Sequence, residues 1–296
     1  MSIFKGSAVA IITPFTEDGS AVNYDEFARL IDFQIDNGTD CIVVAGTTGE
    51  ASTMSEKEHL EAVKFGVEYV KGRVPVVGGS GSNCTATAIE LSREIASYGA
   101  DGLLVVTPYY NKATQNGLYA HYSAIAKEVG GCPIIVYNVP GRTGTNVLPD
   151  TMARLAKDVP NIVGIKEATG NISQVVKLMA ATDGNIELYS GNDDQVVPLL
   201  SMGGLGVISV VANIAPKAMH DLCYKFFEGD TAGAAAAQRS IQELFEAMFC
   251  EVNPIPVKKA VEMLGFKTGP LRMPLSEAEP AHIEQIRRAM QNFGII

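Results

Sequence analysis

Short apolar runs rich in β-branched residues recur at regular intervals along the chain, and this recurrence constrains its fold more than any other feature. Eight such runs are predicted to be strands, at residues 8–12, 41–45, 74–77, 103–106, 134–137, 162–165, 186–189 and 207–211. The runs are apolar almost throughout instead of alternating with polar residues. Runs of this kind are typical of strands that are covered on both faces in a parallel sheet.

Segments with helical periodicity lie between and after these runs. They are predicted to be helices at residues 24–36, 56–70, 85–98, 117–129, 149–157, 173–181, 195–202 and 216–227. Asn37-Gly38 is a stop signal for the first helix, and Ser55 is the predicted N-cap of the second. Eight strands that alternate with eight helices predict an α/β fold, the (β/α)₈ TIM barrel.

A doubly wound open sheet is the alternative fold for such an alternation. Open sheets usually have fewer strands and a glycine-rich phosphate-binding turn after the first strand. Here the first predicted strand is followed by Thr13-Pro14-Phe15, which forms no such turn. The barrel is therefore the favoured architecture.

Residues 231–296 differ from the rest because they contain no strand pattern. Three helices are predicted there, at residues 231–250, 256–264 and 276–292. Because three helices are too few for a core of their own, we expect them to pack on the barrel. The predicted organisation is a barrel over residues 1–230 with a C-terminal helical extension over residues 231–296.

The composition excludes several classes of partner. With 23 Lys and Arg against 33 Asp and Glu, the formal net charge is −10, which argues against nucleic acid and anionic membrane surfaces. The apolar runs are far shorter than the ~20 residues that span a bilayer, and the N-terminus shows no signal-peptide pattern. The five cysteines are widely spaced, as expected of reduced thiols. We therefore expect a cytoplasmic protein with no membrane partner.

Three other patterns do not indicate a cofactor or metal. The four histidines are scattered without ligand spacing, so we expect no metal site. Residues 203–206 resemble a phosphate loop, but they precede the eighth predicted strand and fall at the wrong end of the barrel, so we expect no cofactor. Asp193-Asp194 is interpreted as an N-cap before the helix predicted from Gln195.

Lys166 is the strongest single candidate for a catalytic residue. The active site of a (β/α)₈ barrel lies at the C-terminal ends of the strands, and Lys166 follows the sixth apolar run directly. Desolvation there lowers the pKa of an ammonium and leaves a free amine that can attack a carbonyl. The alternative is a structural lysine paired with Glu167 or another carboxylate, and the neighbouring strand ends favour catalysis.

Hydroxyl groups follow the neighbouring strands. Tyr137 ends the fifth strand, where its phenol could exchange protons with a lysine on the sixth, or could be an ordinary core tyrosine. Thr47, Thr48 and Tyr110 also follow strands and could form a proton relay with this tyrosine. Arg142 lies in a Pro-Gly-Arg-Thr-Gly loop, where a guanidinium can bind a carboxylate, although a solvated surface arginine is the alternative.

Taken together, these strand ends resemble a known family. Residues 46–50 (GTTGE), 137–144 (YNVPGRTG), 165–170 (IKEATG) and 253–258 (NPIPVK) are similar to motifs of the dihydrodipicolinate synthase family. That family belongs to the pyruvate-dependent class I aldolase and N-acetylneuraminate lyase superfamily. The resemblance covers essentially the whole chain, with the motifs in order.

The resemblance implies an activity and a role for each matching residue. Lys166 would form a Schiff base with pyruvate, and the resulting enamine would attack L-aspartate 4-semialdehyde, at the start of the diaminopimelate route to lysine. The other implied roles are a proton relay for Tyr137, Thr47 and Tyr110, contacts around pyruvate for Thr48, Gly191 and Ile208, and a carboxylate contact with the semialdehyde for Arg142. Tyr110 would come from the neighbouring subunit of a homotetramer or dimer.

Two other functions are considered, and one regulatory property is expected. An N-acetylneuraminate lyase or keto-sugar-acid aldolase would share the barrel and the lysine, but Arg142 favours the synthase, and a catalytically silent barrel would not need Lys166. Lysine-inhibited members carry a His and a Glu where this chain has Glu56 and Thr87. The remaining residues of that allosteric pocket are His59, Asn83 and Tyr109. We therefore expect weak or absent inhibition by lysine.

Overall fold

The computed structural model describes residues 2–296, and within them eight parallel strands close into a barrel. The strands are β1 (Gly6–Ala10), β2 (Cys41–Val44), β3 (Val76–Gly79), β4 (Gly102–Val106), β5 (Ile134–Asn138), β6 (Ile162–Glu167), β7 (Glu187–Ser190) and β8 (Gly206–Ser209). Each strand pairs in parallel with the next, and β8 closes the barrel onto β1. The predicted TIM barrel is confirmed.

Helices follow the strands and surround the barrel. They are α1 (Tyr24–Asp36), α2 (Glu56–Val70), α3 (Thr85–Ser97), α4 (Gln115–Glu128), α5 (Pro140–Thr143), α6 (Pro149–Asp158), α7 (Ile172–Ala181), α8 (Val196–Ser201), α9 (Pro216–Phe227), α10 (Thr231–Ser240), α11 (Gln242–Met248), α12 (Ile255–Met263) and α13 (Pro280–Phe293). Each of the eight helices predicted within residues 1–230 begins and ends within two residues of the corresponding observed helix. Ser55 caps α2 as predicted, since its hydroxyl accepts from the Glu58 amide at 3.2 Å.

Burial on both faces explains why the strands read as continuous apolar runs. Alternate side chains point into the barrel, where Val43 and Ile135 belong to one buried cluster. Their neighbours Val44 and Val136 face the helices and belong to a second, larger cluster. A strand with both faces covered has no position at which a polar residue is favoured.

The observed helices differ from the predicted ones in three places. The short α5 in the loop after β5 was not predicted. The single helix predicted over residues 231–250 is two helices, α10 and α11, which meet at Ile241 and bury it. The last helix begins at Pro280, later than predicted, because proline is favoured at the first position of a helix and cannot donate a hydrogen bond further along.

The C-terminal helices share the core of the barrel helices. Leu244, Val257, Val261 and Ile286 of α11 to α13 are buried in the same cluster as the residues between the sheet and its helices. The boundary at residue 230 stays a prediction. None of the helices within residues 2–296 is both long and apolar enough to cross a membrane.

Candidate active site

Lys166 and Tyr137 lie side by side at the C-terminal end of the barrel. They are register partners on β6 and β5, so their side chains emerge on the same face of the sheet. That face is the inside of the barrel, where Tyr137 belongs to the interior cluster. Lys166 Nζ lies 4.4 Å from the centroid of the Tyr137 ring.

Lys166 is buried without a salt-bridge partner. The residue is 5% exposed, and it forms no ion pair within residues 2–296. Glu167, the alternative partner, instead accepts hydrogen bonds from Asn138 Nδ2 at 3.2 Å and from the Thr169 amide at 2.7 Å. Burial lowers the pKa of Lys166 to about 8. A substantial fraction of this amine is therefore neutral near physiological pH.

Thr47 provides a neighbour for the Tyr137 hydroxyl. Thr47 lies in the turn that follows β2, close to this hydroxyl. Burial raises the pKa of Tyr137, while Arg142 and the neighbouring Thr47 side chain act in the opposite direction. The tyrosine is therefore protonated at neutral pH and has a hydroxyl neighbour next to the lysine.

Tyr110 lies apart from this group in the single chain. It follows β4 in a bend, is 89% exposed and has a backbone φ of 72°. Its neighbour Tyr109 lines the cavity beside Tyr137, and Tyr110 is not among the lining residues of the described chain. The structure thus brings Lys166, Tyr137 and Thr47 together and leaves Tyr110 outside.

Gly191 directly follows β7, and Ile208 lies on β8, the two strands that complete the site. A Cβ atom on Gly191 would lie 3.2 Å from Lys166 Cε and closer still to the methyl group of Ala168. Glycine is therefore the only residue at this position that leaves enough space for the Lys166 side chain in its observed conformation. Ile208 on β8 is buried in the same interior cluster as Tyr137.

Asp193 is not the N-cap that the sequence suggested, and that interpretation was wrong. Its Oδ2 atom accepts from the backbone amides of Val210 and Val211 at 3.0 and 3.1 Å, so it holds the end of β8 instead of a helix. Oδ1 is buried and has no partner within residues 2–296. The carboxylate raises the pKa of Lys166, opposing the larger effect of burial. Asp193 is therefore an electrostatic neighbour of the lysine that sequence reasoning missed.

Thr48 and Arg142 are joined by a residue of the C-terminal extension. Asn253 Nδ2 donates to the Thr48 hydroxyl at 3.0 Å, and the Asn253 carbonyl accepts from Arg142 Nη2 at 3.0 Å. Asn253 lies in one of the recognised motifs, but its partners are 205 and 111 residues away in the sequence. Nothing in the local pattern indicated these contacts.

A buried ion pair fastens the same extension to the turn after β2. Lys258 Nζ donates to Glu50 Oε1 at 2.6 Å, and both side chains are almost fully buried. The other oxygen of Glu50 accepts from the Arg272 amide at 3.1 Å. The turn that carries Thr47 and Thr48 is therefore held by residues from the C-terminal extension.

A cavity of about 430 Å³ lies at the C-terminal end of the barrel, next to Tyr137. Thr47, Tyr137 and Arg142 line one part of it, and the part formed by α2, α3 and the loop after β4 includes Glu56, His59, Thr87 and Tyr109. Asn83 is not among the lining residues of the described chain; its carbonyl accepts from Asn111 Nδ2 at 2.9 Å. His59 is buried and bonded to the Gly79 carbonyl at 2.6 Å, and burial lowers its pKa.

A parallel barrel that carries a buried lysine on β6 beside a tyrosine on β5, with no ion pair to that lysine within residues 2–296, is typical of the class of barrel lyases that use a lysine amine. Within this class, the chain belongs to the dihydrodipicolinate synthetase family. The family model matches residues 3–293. The resemblance of the strand-end motifs is thereby confirmed.

Individual relatives cover the whole chain. The 4-hydroxy-tetrahydrodipicolinate synthase of Lachnoclostridium phytofermentans is 54% identical over 296 residues, which cover all of both chains. The chloride-inhibited dihydrodipicolinate synthase of Acinetobacter baumannii, solved with pyruvate, is 45% identical with a TM-score of 0.95 over 99% of each chain. The enzyme of Cyanidioschyzon merolae, solved with lysine bound, is 39% identical with a TM-score of 0.97 over 100% of each chain.

Proposed function

We propose that this chain has 4-hydroxy-tetrahydrodipicolinate synthase activity, condensing pyruvate with L-aspartate 4-semialdehyde in the diaminopimelate route to lysine. The proposal rests mainly on the environment and the pKa of Lys166. It is buried, lacks an ion-pair partner within residues 2–296 and has a pKa of about 8. Full-length relatives at about half identity carry this activity in their names.

The proposed first half of the reaction uses Lys166 and the hydroxyls beside it. The neutral amine attacks the ketone carbon of pyruvate, and the carbinolamine loses water to give a cationic imine. Tyr137, next to Thr47, delivers and receives the protons that this step requires. Loss of a methyl proton then gives an enamine: the C–H electron pair forms the new C=C bond, and the positively charged imine nitrogen of Lys166 recovers its lone pair.

In the proposed second half, the enamine carbon attacks the aldehyde carbon of the semialdehyde, and the new alkoxide takes a proton. The substrate amino group then adds to the imine carbon, which closes the ring and releases Lys166 as a free amine. Arg142 is proposed to hold the semialdehyde carboxylate. Its guanidinium is fixed on one side by the Asn253 carbonyl, which leaves its other N–H groups available.

The remaining features of the proposal concern assembly and location. Tyr110 is proposed to enter the site of a neighbouring subunit, in a homodimer or a homotetramer made of dimers. Thr48, Gly191 and Ile208 are proposed to surround pyruvate. All five cysteines are free thiols, which supports a cytoplasmic location.

Reductive trapping tests the proposed function. Borohydride added with pyruvate is expected to fix a three-carbon adduct on the peptide that contains Lys166. Lys258, the other buried lysine, is an internal control in the same peptide map, because its ion pair with Glu50 favours the charged ammonium over the free amine. An adduct on a peptide without Lys166, or no adduct, contradicts the mechanism.

The choice of aldehyde separates this function from that of its relatives. With L-aspartate 4-semialdehyde the chain is expected to turn over pyruvate, and with N-acetylmannosamine it is expected to remain near background. Turnover with the sugar and not with the semialdehyde would assign it to the lyase branch. The contact between Arg142 and Asn253, which prepares a carboxylate site, favours the first outcome.

A further inference from the structure

Asn253, in the C-terminal extension, contacts two residues of the candidate active site. The side chain is buried, at 5% exposure, just before α12. It touches Thr48 through its amide nitrogen and Arg142 through its backbone carbonyl. Both of these partners belong to the groups proposed above to surround the two substrates.

The direction of the bond to Thr48 decides what that hydroxyl can do. An amide nitrogen only donates, so the Thr48 oxygen must accept, and the hydroxyl hydrogen is left over. Thr48 makes no second side-chain hydrogen bond within residues 2–296. A hydroxyl whose oxygen already accepts is also polarised and becomes a better donor. The hydrogen of Thr48 is therefore available to an anionic ligand.

The opposite orientation of the amide would have the opposite effect. If Asn253 presented its oxygen, Thr48 would donate to it and would have no hydrogen left for a ligand. In the observed orientation Asn253 Oδ1 is buried without a partner within residues 2–296. That unsatisfied acceptor carries a free-energy cost. The observed orientation therefore leaves the Thr48 hydrogen free and leaves one buried acceptor of Asn253 unsatisfied.

We propose that Asn253 is a positioning residue that holds the Thr48 hydroxyl as a hydrogen-bond donor toward the carboxylate of the keto-acid substrate. This inference rests on the proposed function and adds to it a residue from outside the barrel. The turn and the extension are joined at a second point by Lys258 and Glu50. The Asn253–Thr48 bond therefore lies between two segments that are already fixed relative to each other.

A double-mutant cycle tests the inference on the full-length protein. The readout is the pyruvate concentration that gives half the maximal rate of borohydride trapping at Lys166. Asn253→Ala is expected to raise that concentration about 5- to 10-fold, the effect of losing one neutral hydrogen bond that orients the Thr48 hydroxyl. Thr48→Val is expected to raise it at least as much. The double variant is expected to be no weaker than Thr48→Val alone, because Asn253 acts through the hydroxyl.

Asn161→Ala is the matched control. Like Asn253, Asn161 donates hydrogen bonds through its side-chain amide nitrogen, in this case to the backbone carbonyls of Ala126 and Cys132. Asn161 precedes β6, so it lies at the other end of the barrel. This variant is expected to lose some thermal stability and to keep its pyruvate half-saturation within about 2-fold of wild type, since it loses only a remote bond. If Thr48→Val does not fold, Thr48→Ala replaces it in the cycle.

Two outcomes would overturn the inference while leaving the proposed function intact. In one, the wild type is trapped at Lys166 and Asn253→Ala behaves like Asn161→Ala. In the other, the effects of Asn253→Ala and Thr48→Val multiply in the double variant. A wild-type chain that is not trapped at Lys166 would overturn the proposed function, and this inference with it.

Discussion

The burial of Lys166 predicts a specific pH dependence for its proposed reaction with pyruvate. Burial lowers the pKa of its ammonium to about 8, and only the neutral amine attacks pyruvate. The trapping rate is expected to be constant well above pH 8. Below it, the rate should fall about tenfold per pH unit, as the protonated fraction grows. A rate that rises as the pH falls from 8 to 6 would show that another group limits the reaction.

Asp193→Asn tests the cause of that pKa. Asparagine can still accept from the amides of Val210 and Val211 through its oxygen but carries no charge. Because Asp193 raises the pKa of Lys166, the variant is expected to move the low-pH decline of the trapping rate to lower pH. An unchanged profile would show that Asp193 is neutral or too remote to act on the amine.

Arg142 is expected to act on the second substrate only. Arg142→Ala removes charge-assisted hydrogen bonds, so KM for the semialdehyde should rise about 10- to 100-fold while pyruvate trapping at Lys166 is retained. Arg154→Ala is the control, because Arg154 lies on α6 and donates to Asn116 at the exposed surface. Loss of pyruvate trapping in Arg142→Ala would place this residue at the first substrate instead.

Glu56 and Thr87 predict that lysine regulates this chain weakly or not at all. Both line the same cavity as His59 and Tyr109, and both differ from the His and Glu that the family resemblance implies for lysine-inhibited members. A steady-state assay with millimolar lysine is expected to show little inhibition. Introducing Glu56→His together with Thr87→Glu is expected to increase the inhibition. Strong inhibition of the wild type would contradict this prediction.

At the scale of elements, α12 is joined to the barrel by a buried charge pair. Lys258→Met leaves Glu50 buried without its cation, which is expected to lower the free energy of unfolding by about 3–5 kcal/mol. Lys259→Met is the control in the same helix, since Lys259 pairs with Glu262 and Glu277, which are about half exposed or more. An exposed pair contributes about 0–1 kcal/mol. Equal shifts in thermal unfolding for both variants would contradict the buried-pair account.

The elements show which features a sequence can predict. Each strand has both faces covered and each helix has one face covered, so both leave a regular apolar pattern in the sequence. That pattern was enough to predict the barrel and to place Lys166 and Tyr137 at strand ends. Asp193 and Asn253 could not be assigned in this way. Their partners come from the segment after β8 and from the turn after β2, and those contacts exist only once the barrel has closed.

The break between α10 and α11 has a similar explanation. The segment from Thr231 to Met248 favours helix throughout, and tertiary packing bends it at Ile241 so that this residue and Leu244 reach the core. Intrinsic helix propensity contributes less than about 1 kcal/mol per residue, and burying one large side chain contributes more than that. Burial therefore outweighs the local preference.

At the scale of the whole molecule, net charge and local charge act separately. The chain carries a formal charge of −10. Lys166 and Arg142 nevertheless place two basic side chains near each other at the C-terminal end of the barrel. Screening confines the effect of distant surface charges to about 8 Å at physiological ionic strength. The overall charge therefore argues against polyanionic partners and does not hinder the binding of two small carboxylate substrates.

We predict that Tyr110 extends the site beyond one chain, because it is exposed and has a left-handed backbone, a combination that is uncommon for a bulky residue. If it acts on a partner's site, Lys166→Ala and Tyr110→Phe chains should complement each other when coexpressed. A site is then competent when its own chain carries Lys166 and its neighbour carries Tyr110. Random assembly of a symmetric oligomer makes this about a quarter of all sites, so about a quarter of wild-type activity should return.

Coexpression of Lys166→Ala with Tyr137→Phe is the control for this experiment. Tyr137 and Lys166 lie in one barrel, 4.4 Å apart from ring centroid to Nζ, so a chain that lacks one cannot borrow it from its neighbour. Tyr137→Phe still has Lys166, and Lys166→Ala still has Tyr137, but no assembled site contains both. Activity should therefore not rise above that of Tyr137→Phe sites. Recovery in this control, or none with Tyr110→Phe, would contradict a site shared between subunits.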